Sequence, residues 1–219
     1  DRGARADGGG WSLAEPGDWP YSRDSMVKAI LASATPERDD RLFPGDVAQF
    51  SDGGGLGLAH GAAGVLYALA EVGAERYEEG ERWLLDHTAP VPVGTPLGLY
   101  DGLAGVALTL DRLGHRQRAL DLTEQILAEK WHRLSSDLRG GLAGLGLVLD
   151  ELARTTGEPG LRDHAAEAAR LLAQRLGDGS VGVGMVLDDC LAATGAAAVS
   201  SGPRASAAAY RFYAQPGLF

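Results

Sequence analysis

The sequence predicts an all-α protein built from repeated helical hairpins, on three observations. A small-residue signature recurs four times, as His60-Gly61-Ala62-Ala63-Gly64, Asp101-Gly102-Leu103-Ala104-Gly105, Gly140-Gly141-Leu142-Ala143-Gly144 and Asp178-Gly179-Ser180-Val181-Gly182. Its leading glycines at 61, 102, 141 and 179 are separated by steps of 41, 39 and 38 residues, the length of a helical hairpin with its loops. No stretch alternates apolar and polar residues as a half-buried strand would.

Each element follows in chain order. Residues 1–23 are rich in Gly, Asp, Arg and Pro, with Trp11 and Trp19 as the large anchors, and read as a linker ahead of a domain spanning 24–219. From Asp24 to Ala34, Met26, Val27, Ile30, Leu31 and Ala34 fall on one helical face, closed by Thr35-Pro36. A loop over 36–58 leads to the first signature. Every signature then opens a strongly apolar helix, through Val65–Leu69, Val106–Leu110, Leu145–Leu149 and Val183–Leu187. Gly73, Gly114, Gly157 and Gly195 follow these helices, where left-handed C-terminal caps are expected. Between them lie amphipathic segments, Glu78–His87, Gln117–Lys130 and Leu161–Leu176, with polar faces suited to water. Alternating buried inner and half-wet outer helices curl into an α/α toroid or solenoid, because hairpins bury their apolar faces by stacking on neighbours. All inner helices then point the same way, and the signatures gather at one rim.

Composition bounds the function. With 219 residues and 45% hydrophobic content the chain can bury one sizeable core. A formal net charge of -10, with no Lys/Arg stripe, disfavours nucleic acid and leaves a small molecule or peptide as the expected partner. Cys190 stands alone, which excludes an internal disulfide framework and agrees with a reducing, cytoplasmic compartment. No apolar run is long enough to cross a bilayer, so no membrane partner is expected. The first residue is Asp rather than Met, which suggests a piece of a longer protein.

The expected rim holds His60, Tyr100, Asp101, Asp137, Arg139 and Asp178, at or just before inner-helix first turns. Unpaired N–H groups and partial positive charge at those N-termini would favour an anion such as a thiolate, enolate or carboxylate. For Asp101 and Asp178 the alternative is a routine N-cap. Asp137 stands further upstream of its glycine, where simple capping is less natural. His60 could serve as general acid or base, or cap a neighbouring helix. Arg139 either orients a carboxylate or enolate oxygen or pairs with Asp137. His87, His115, His132 and His164 fall on outer helices or loops and read as solvated. No three or four ligands converge for zinc, Cys190 reads as core, and the adjacent Asp188 and Asp189 face different directions on one helix.

These motifs resemble a family. Leu58 to Leu69, Gly98 to Ala107, Asp137 to Gly144 and Asp178 to Gly184 look like successive repeats of the LanC-like cyclases, most closely the C-terminal domain of class III lanthipeptide synthetases. The similarity runs from about Ser22 to Phe219, and Ser33 to Phe50 and the ending Arg211 to Phe219 share it. The resemblance implies an α/α toroid of seven inner and seven outer helices. It implies upstream lyase and kinase domains in cis that dehydrate Ser and Thr of a ribosomal precursor peptide, with nucleoside triphosphate and magnesium confined to the kinase. The cyclase would then add Cys thiols across dehydroalanine or dehydrobutyrine, forming lanthionine or labionin rings. Metal-dependent members use zinc to lower the thiol pKa from about 8.5. Here the signature expected to bring a Cys ligand reads Leu176-Gly177-Asp178-Gly179 and a later Cys-His pair is absent, in agreement with zinc-free members and no cofactor in this domain. By motif position Asp137 falls on the family's acidic active-site residue. The family's catalytic His belongs to the following repeat, so His60 does not inherit that role and is carried as a rim residue. Catalysis is then expected from Asp137 with Arg139 and His60, and substrate binding from Tyr100, Asp101 and Asp178.

The sequence departs from the family near 176–178, where the third outer helix runs directly into a motif resembling the fifth repeat. The toroid is therefore expected to be incomplete, with a repeat omitted there. Two other functions compete: a catalytically silent scaffold that binds a leader peptide or packs on a kinase domain, and an α/α-toroid enzyme of other chemistry such as a terpene cyclase. Four Phe and six Tyr equip the chain poorly for stabilising carbocations.

Overall fold

The structure, a computed structural model, describes residues 17–51 and 53–175. The fourth signature, with Asp178, Gly179, Gly195 and Cys190, and the sequence departure near 176–178 lie outside the described residues. Within them the chain is all-α: seven α-helices and two short 3₁₀ turns, with no strand.

Helix α1 spans Trp19–Ala32, beginning ahead of the Asp24 expected. Its start follows from local chemistry: Asp18 accepts the Tyr21 N–H at 3.2 Å, and Pro20 tolerates a first-turn position whose N–H has no helical partner. Its apolar stripe differs from expectation too, since none of its residues is fully buried. The stripe instead overhangs a cleft of about 510 Å³ against the second helix.

Three hairpins follow. The inner helices are α2 (Ala62–Glu71), α4 (Leu103–Arg112) and α6 (Leu142–Thr156), and the outer ones α3 (Glu78–His87), α5 (Arg116–Ala128) and α7 (Pro159–Arg175). Each outer helix packs on its own inner helix, and α4 lies between α2 and α6, so the hairpins stack in series. The inner helices are nearly apolar and supply Leu66, Leu103, Val106, Leu110, Leu142, Leu145 and Leu149, all buried. Removing such a side chain from water contributes about 1.5–3 kcal/mol each. The outer helices bury one stripe each, for example Leu122 and Ile126 on α5.

Gly73, Gly114 and Gly157 adopt φ of +68°, +92° and +82°, the expected left-handed caps. After Gly114 the His115 N–H reaches back to the Leu110 carbonyl at 2.8 Å, absorbing an end carbonyl of α4. That turn sets His115 against buried Glu81 of α3, Nε2 to Oε2 2.7 Å, and Arg76 approaches the same oxygen at 2.6 Å. His115 is thus a structural clip between hairpins rather than a solvated residue. His87 likewise stacks on Trp83, ring centroids 3.8 Å apart. His132 and His164 stay partly exposed, each facing Glu167.

The closing glycine of each described signature explains the repeat. A Cβ at Gly105 would stand 1.9 Å from the Leu99 carbonyl oxygen and 2.9 Å from the Leu58 Cβ of the preceding hairpin. At Gly144 the same two contacts recur, with Leu138 and Leu99. Only a hydrogen atom fits where an inner helix meets both its own loop and its neighbour. Buried Thr109 reinforces the seam, its hydroxyl reaching the Gly105 carbonyl at 2.9 Å and the Ala63 carbonyl of α2 at 3.4 Å.

Candidate functional site

The three described signatures do meet at one rim, joined by backbone. The Ala59 N–H donates to the Tyr100 carbonyl at 2.7 Å, and the Tyr100 N–H donates to the Arg139 carbonyl at 2.9 Å. Ala59, Tyr100 and Arg139 therefore hold equivalent places in successive repeats, as do His60, Asp101 and Gly140 one residue later. This short ladder carries the side chains to adjacent positions although their sequence separation is large.

The helix starts themselves differ from expectation. Gly61, Gly102 and Gly141 cap without a side-chain bond, yet the first N–H groups are not left open. Each loop folds back and satisfies them: Ala62 and Ala63 donate to the carbonyls of Gly55 and Leu56, Leu103 and Ala104 to those of Pro96 and Leu97, and Leu142 to that of Ser135. Asp101 is accordingly not a conventional N-cap. Any anion recognition at this rim rests on side chains and residual helix dipoles rather than on a row of free amides.

Arg139 is the hub. Its Nη2 lies 3.3 Å from His60 Nε2, and its Nε lies 3.9 Å from Asp101 Oδ2. The pairing with Asp137 considered for it is not found; His60 and Asp101 are its neighbours instead. The other oxygen of Asp101, Oδ1, is sealed from solvent with no hydrogen-bond partner, wedged over backbone where a Cβ at Gly98 would come within 2.6 Å of it. A Cβ at Gly140 would stand 3.1 Å from Oδ2, so the small residue at 140 makes the space Asp101 occupies.

Asp137 is engaged within its own loop. Its Oδ1 accepts the Gly140 N–H at 2.9 Å, and its Oδ2 accepts the Ser135 hydroxyl. The Ser135 hydroxyl foremost, then the Gly140 N–H, hold its carboxyl below the usual carboxylate range against the opposing effect of burial. Asp137 does not cap α6, as its distance from the signature glycine suggested, but closes a local turn ahead of the helix. Tyr100 remains exposed on the rim.

Two contributors do not stand out in the sequence. Ser135 is one. Gln49 is the other: buried in the Asp46-capped 3₁₀ turn Val47–Phe50, it donates through Nε2 to the carbonyls of Phe43 and His60, at 3.0 and 2.5 Å. It thereby fixes the backbone of His60, which also borders the cleft under α1. A Gln inside a loop has no spacing rule, and a capping Asp46 at the head of a 3₁₀ turn is the one local hint.

No group of three His, Cys, Asp or Glu side chains converges as a metal site among the described residues. No described helix is long and apolar enough to cross a membrane.

With this geometry in view, comparison with known proteins adds one relative. The chain is similar to a protein described as a "Probable SapB synthase". That protein comes from Streptomyces coelicolor and is 62% identical over 159 residues, covering 72% of this chain. The match spans 17% of the relative's length, so the chain corresponds to a small part of it. No family model matches the chain.

Proposed function

We propose that this chain is part of a lanthipeptide synthetase and forms its LanC-like, class III cyclase region, an α/α toroid acting on a ribosomal precursor peptide. The identity to a SapB synthase supports the lanthipeptide-biosynthetic assignment. The observation that carries the cyclase reading is the side-chain cluster at the rim, where His60, Asp101 and Arg139 from three successive hairpins meet beside Asp137.

In the proposed reaction a Cys thiol of the peptide loses its proton and the thiolate attacks Cβ of a dehydroalanine or dehydrobutyrine. A C–S bond forms, the Cα=Cβ pair moves onto Cα and the adjoining carbonyl oxygen, and a proton is returned to Cα. The reaction is a net addition with no redox change. The guanidinium of Arg139, more than half exposed, is available to the negative charge that develops on that carbonyl. Asp137, its proton affinity lowered by Ser135 and Gly140, is a weak acceptor for a thiol proton; it suits a fixed negative charge that shapes the rim, with Tyr100 and Asp101 bordering the peptide and Asp178 in the same motif position outside the described residues. The region works without zinc in this reading, because the motif expected to supply a Cys ligand carries Asp178 instead. Kinase and lyase regions in cis, the former using nucleoside triphosphate and magnesium, would supply the dehydrated peptide in the cytoplasm.

The test is a count of free thiols when the chain meets a predehydrated Cys-containing peptide. Enzyme-dependent thiol loss at constant peptide mass is expected. Thiol loss no faster than in its absence favours the silent scaffold, a role that Asp137's engagement within its own loop would fit.

A further inference from the structure

Arg139 and His60 are 79 positions apart in the chain, yet their side-chain nitrogens lie 3.3 Å apart. Every polar hydrogen of a guanidinium is a donor, and it has no acceptor lone pair. A histidine nitrogen facing it at that distance must present its own lone pair, because two N–H groups pointed at each other repel. His60 Nε2 is therefore the acceptor, and the ring proton of a neutral imidazole is left on Nδ1.

We infer that Arg139 is a positioning residue that locks His60 as the neutral Nδ1–H tautomer, so that His60 offers substrate a hydrogen-bond donor and not a base. Three further contacts make this a built arrangement. The Arg139 backbone is fixed through the Tyr100 N–H at its carbonyl. Its guanidinium Nε lies 3.9 Å from Oδ2 of Asp101, whose carboxylate occupies the space left by glycines at 98 and 140. The His60 backbone is fixed by the buried Gln49 amide at its carbonyl. Arg139 thus meets the imidazole itself, while Asp101 flanks that arginine and Gln49 fixes the backbone that carries the ring.

The consequence for chemistry rests on the cyclase reading. The Nδ1–H would donate to the carbonyl oxygen next to the dehydroamino acid as it gains negative charge, and the thiol proton must leave to another acceptor or to solvent.

The tautomer is read directly by the nitrogen shifts of the imidazole in long-range proton–nitrogen NMR, above the pH at which free imidazole is protonated, with His60 assigned by its loss in His60→Asn. The expected result is an about tenfold or greater preference for Nδ1–H, the ratio one charge-assisted hydrogen bond supports. Arg139→Ala, with its backbone spectrum otherwise unchanged, should release His60 to the tautomer mixture of a free histidine side chain, and Asp101→Asn should release it in part. A majority Nε2–H form in the unaltered chain, or the same ratio in Arg139→Ala, overturns the inference. In the thiol assay, His60→Asn keeps a donor at the Nδ1 position and should retain more ring closure than His60→Gln. If ring closure is absent altogether while the NMR ratio holds, the cyclase reading fails and the tautomer lock stands; equal loss in Asn and Gln variants with the lock intact removes the donor role.

Discussion

A carboxylate that already accepts a hydroxyl and a backbone N–H has less affinity for a proton, and Asp137 is in that state through Ser135 and Gly140. Because its folded pKa lies below its unfolded one, its contribution to stability is complete above the unfolded value of about 4 and is lost as pH falls through the folded value. Asp137→Asn can keep a carbonyl acceptor for the Gly140 N–H while removing the charge, whereas Asp137→Ala removes both. We therefore expect Asp137→Asn to flatten the acid limb of an unfolding-versus-pH curve with a smaller loss at neutral pH than Asp137→Ala. If the charge also serves ring closure, thiol consumption slows in the Asn variant while its fold persists; unchanged consumption would leave Asp137 as a loop-closing residue alone. At this scale the sequence placed His60, Asp101 and Arg139 on one rim, because they stand beside signature glycines. It did not disclose their partners, since Arg139 pairs with Asp101 and His60 across hairpins, and no local spacing encodes that choice.

Among the elements, glycines with the same letter carry opposite duties. Gly105 sits where an added methyl meets a backbone oxygen at 1.9 Å, and that oxygen belongs to the loop that satisfies the helix start. Gly105→Ala should lower stability by roughly 1–3 kcal/mol through forced backbone shifts, outweighing any gain in helix propensity. Gly160, in the first turn of α7, has nothing within 4 Å of where a methyl group would stand, and its φ is ordinary. Gly160→Ala should raise stability by up to about 1 kcal/mol by restricting the unfolded chain. Paired urea titrations of both variants check the two signs, with unchanged slopes confirming that the transitions are comparable. Helix existence was legible from apolar periodicity and from the closing glycines, and α3 coincides with the expected Glu78–His87. The early start of α1 escapes the periodicity because Ser22 and Arg23 interrupt the apolar stripe between Trp19 and Met26, while Asp18 and Pro20 together form a helix start.

For the whole molecule, stability should follow position in the stack. Leu110 is fully buried on α4, the inner helix that touches both neighbours, whereas Met26 on α1 is half exposed over the cleft. Leu110→Ala should cost about 2–5 kcal/mol and Met26→Ala less than about 0.5 kcal/mol, measured by thermal or urea unfolding of the intact chain. Comparable losses would mean that α1 closes onto α2 in solution. A stack of hairpins has this property because each unit is stabilised chiefly by the next.

By itself the sequence determined the all-α class, the hairpin period, the direction of the inner helices and the rim on which polar side chains collect, since periodicity and glycine placement are local properties of the chain. Tertiary structure alone decided that loop carbonyls consume the helix-start amides, that Asp137 turns toward Ser135, and that Arg139 reaches from the third signature to His60 in the first. Those outcomes depend on how closely consecutive hairpins approach, a distance set by packing across the glycines and written in no single segment.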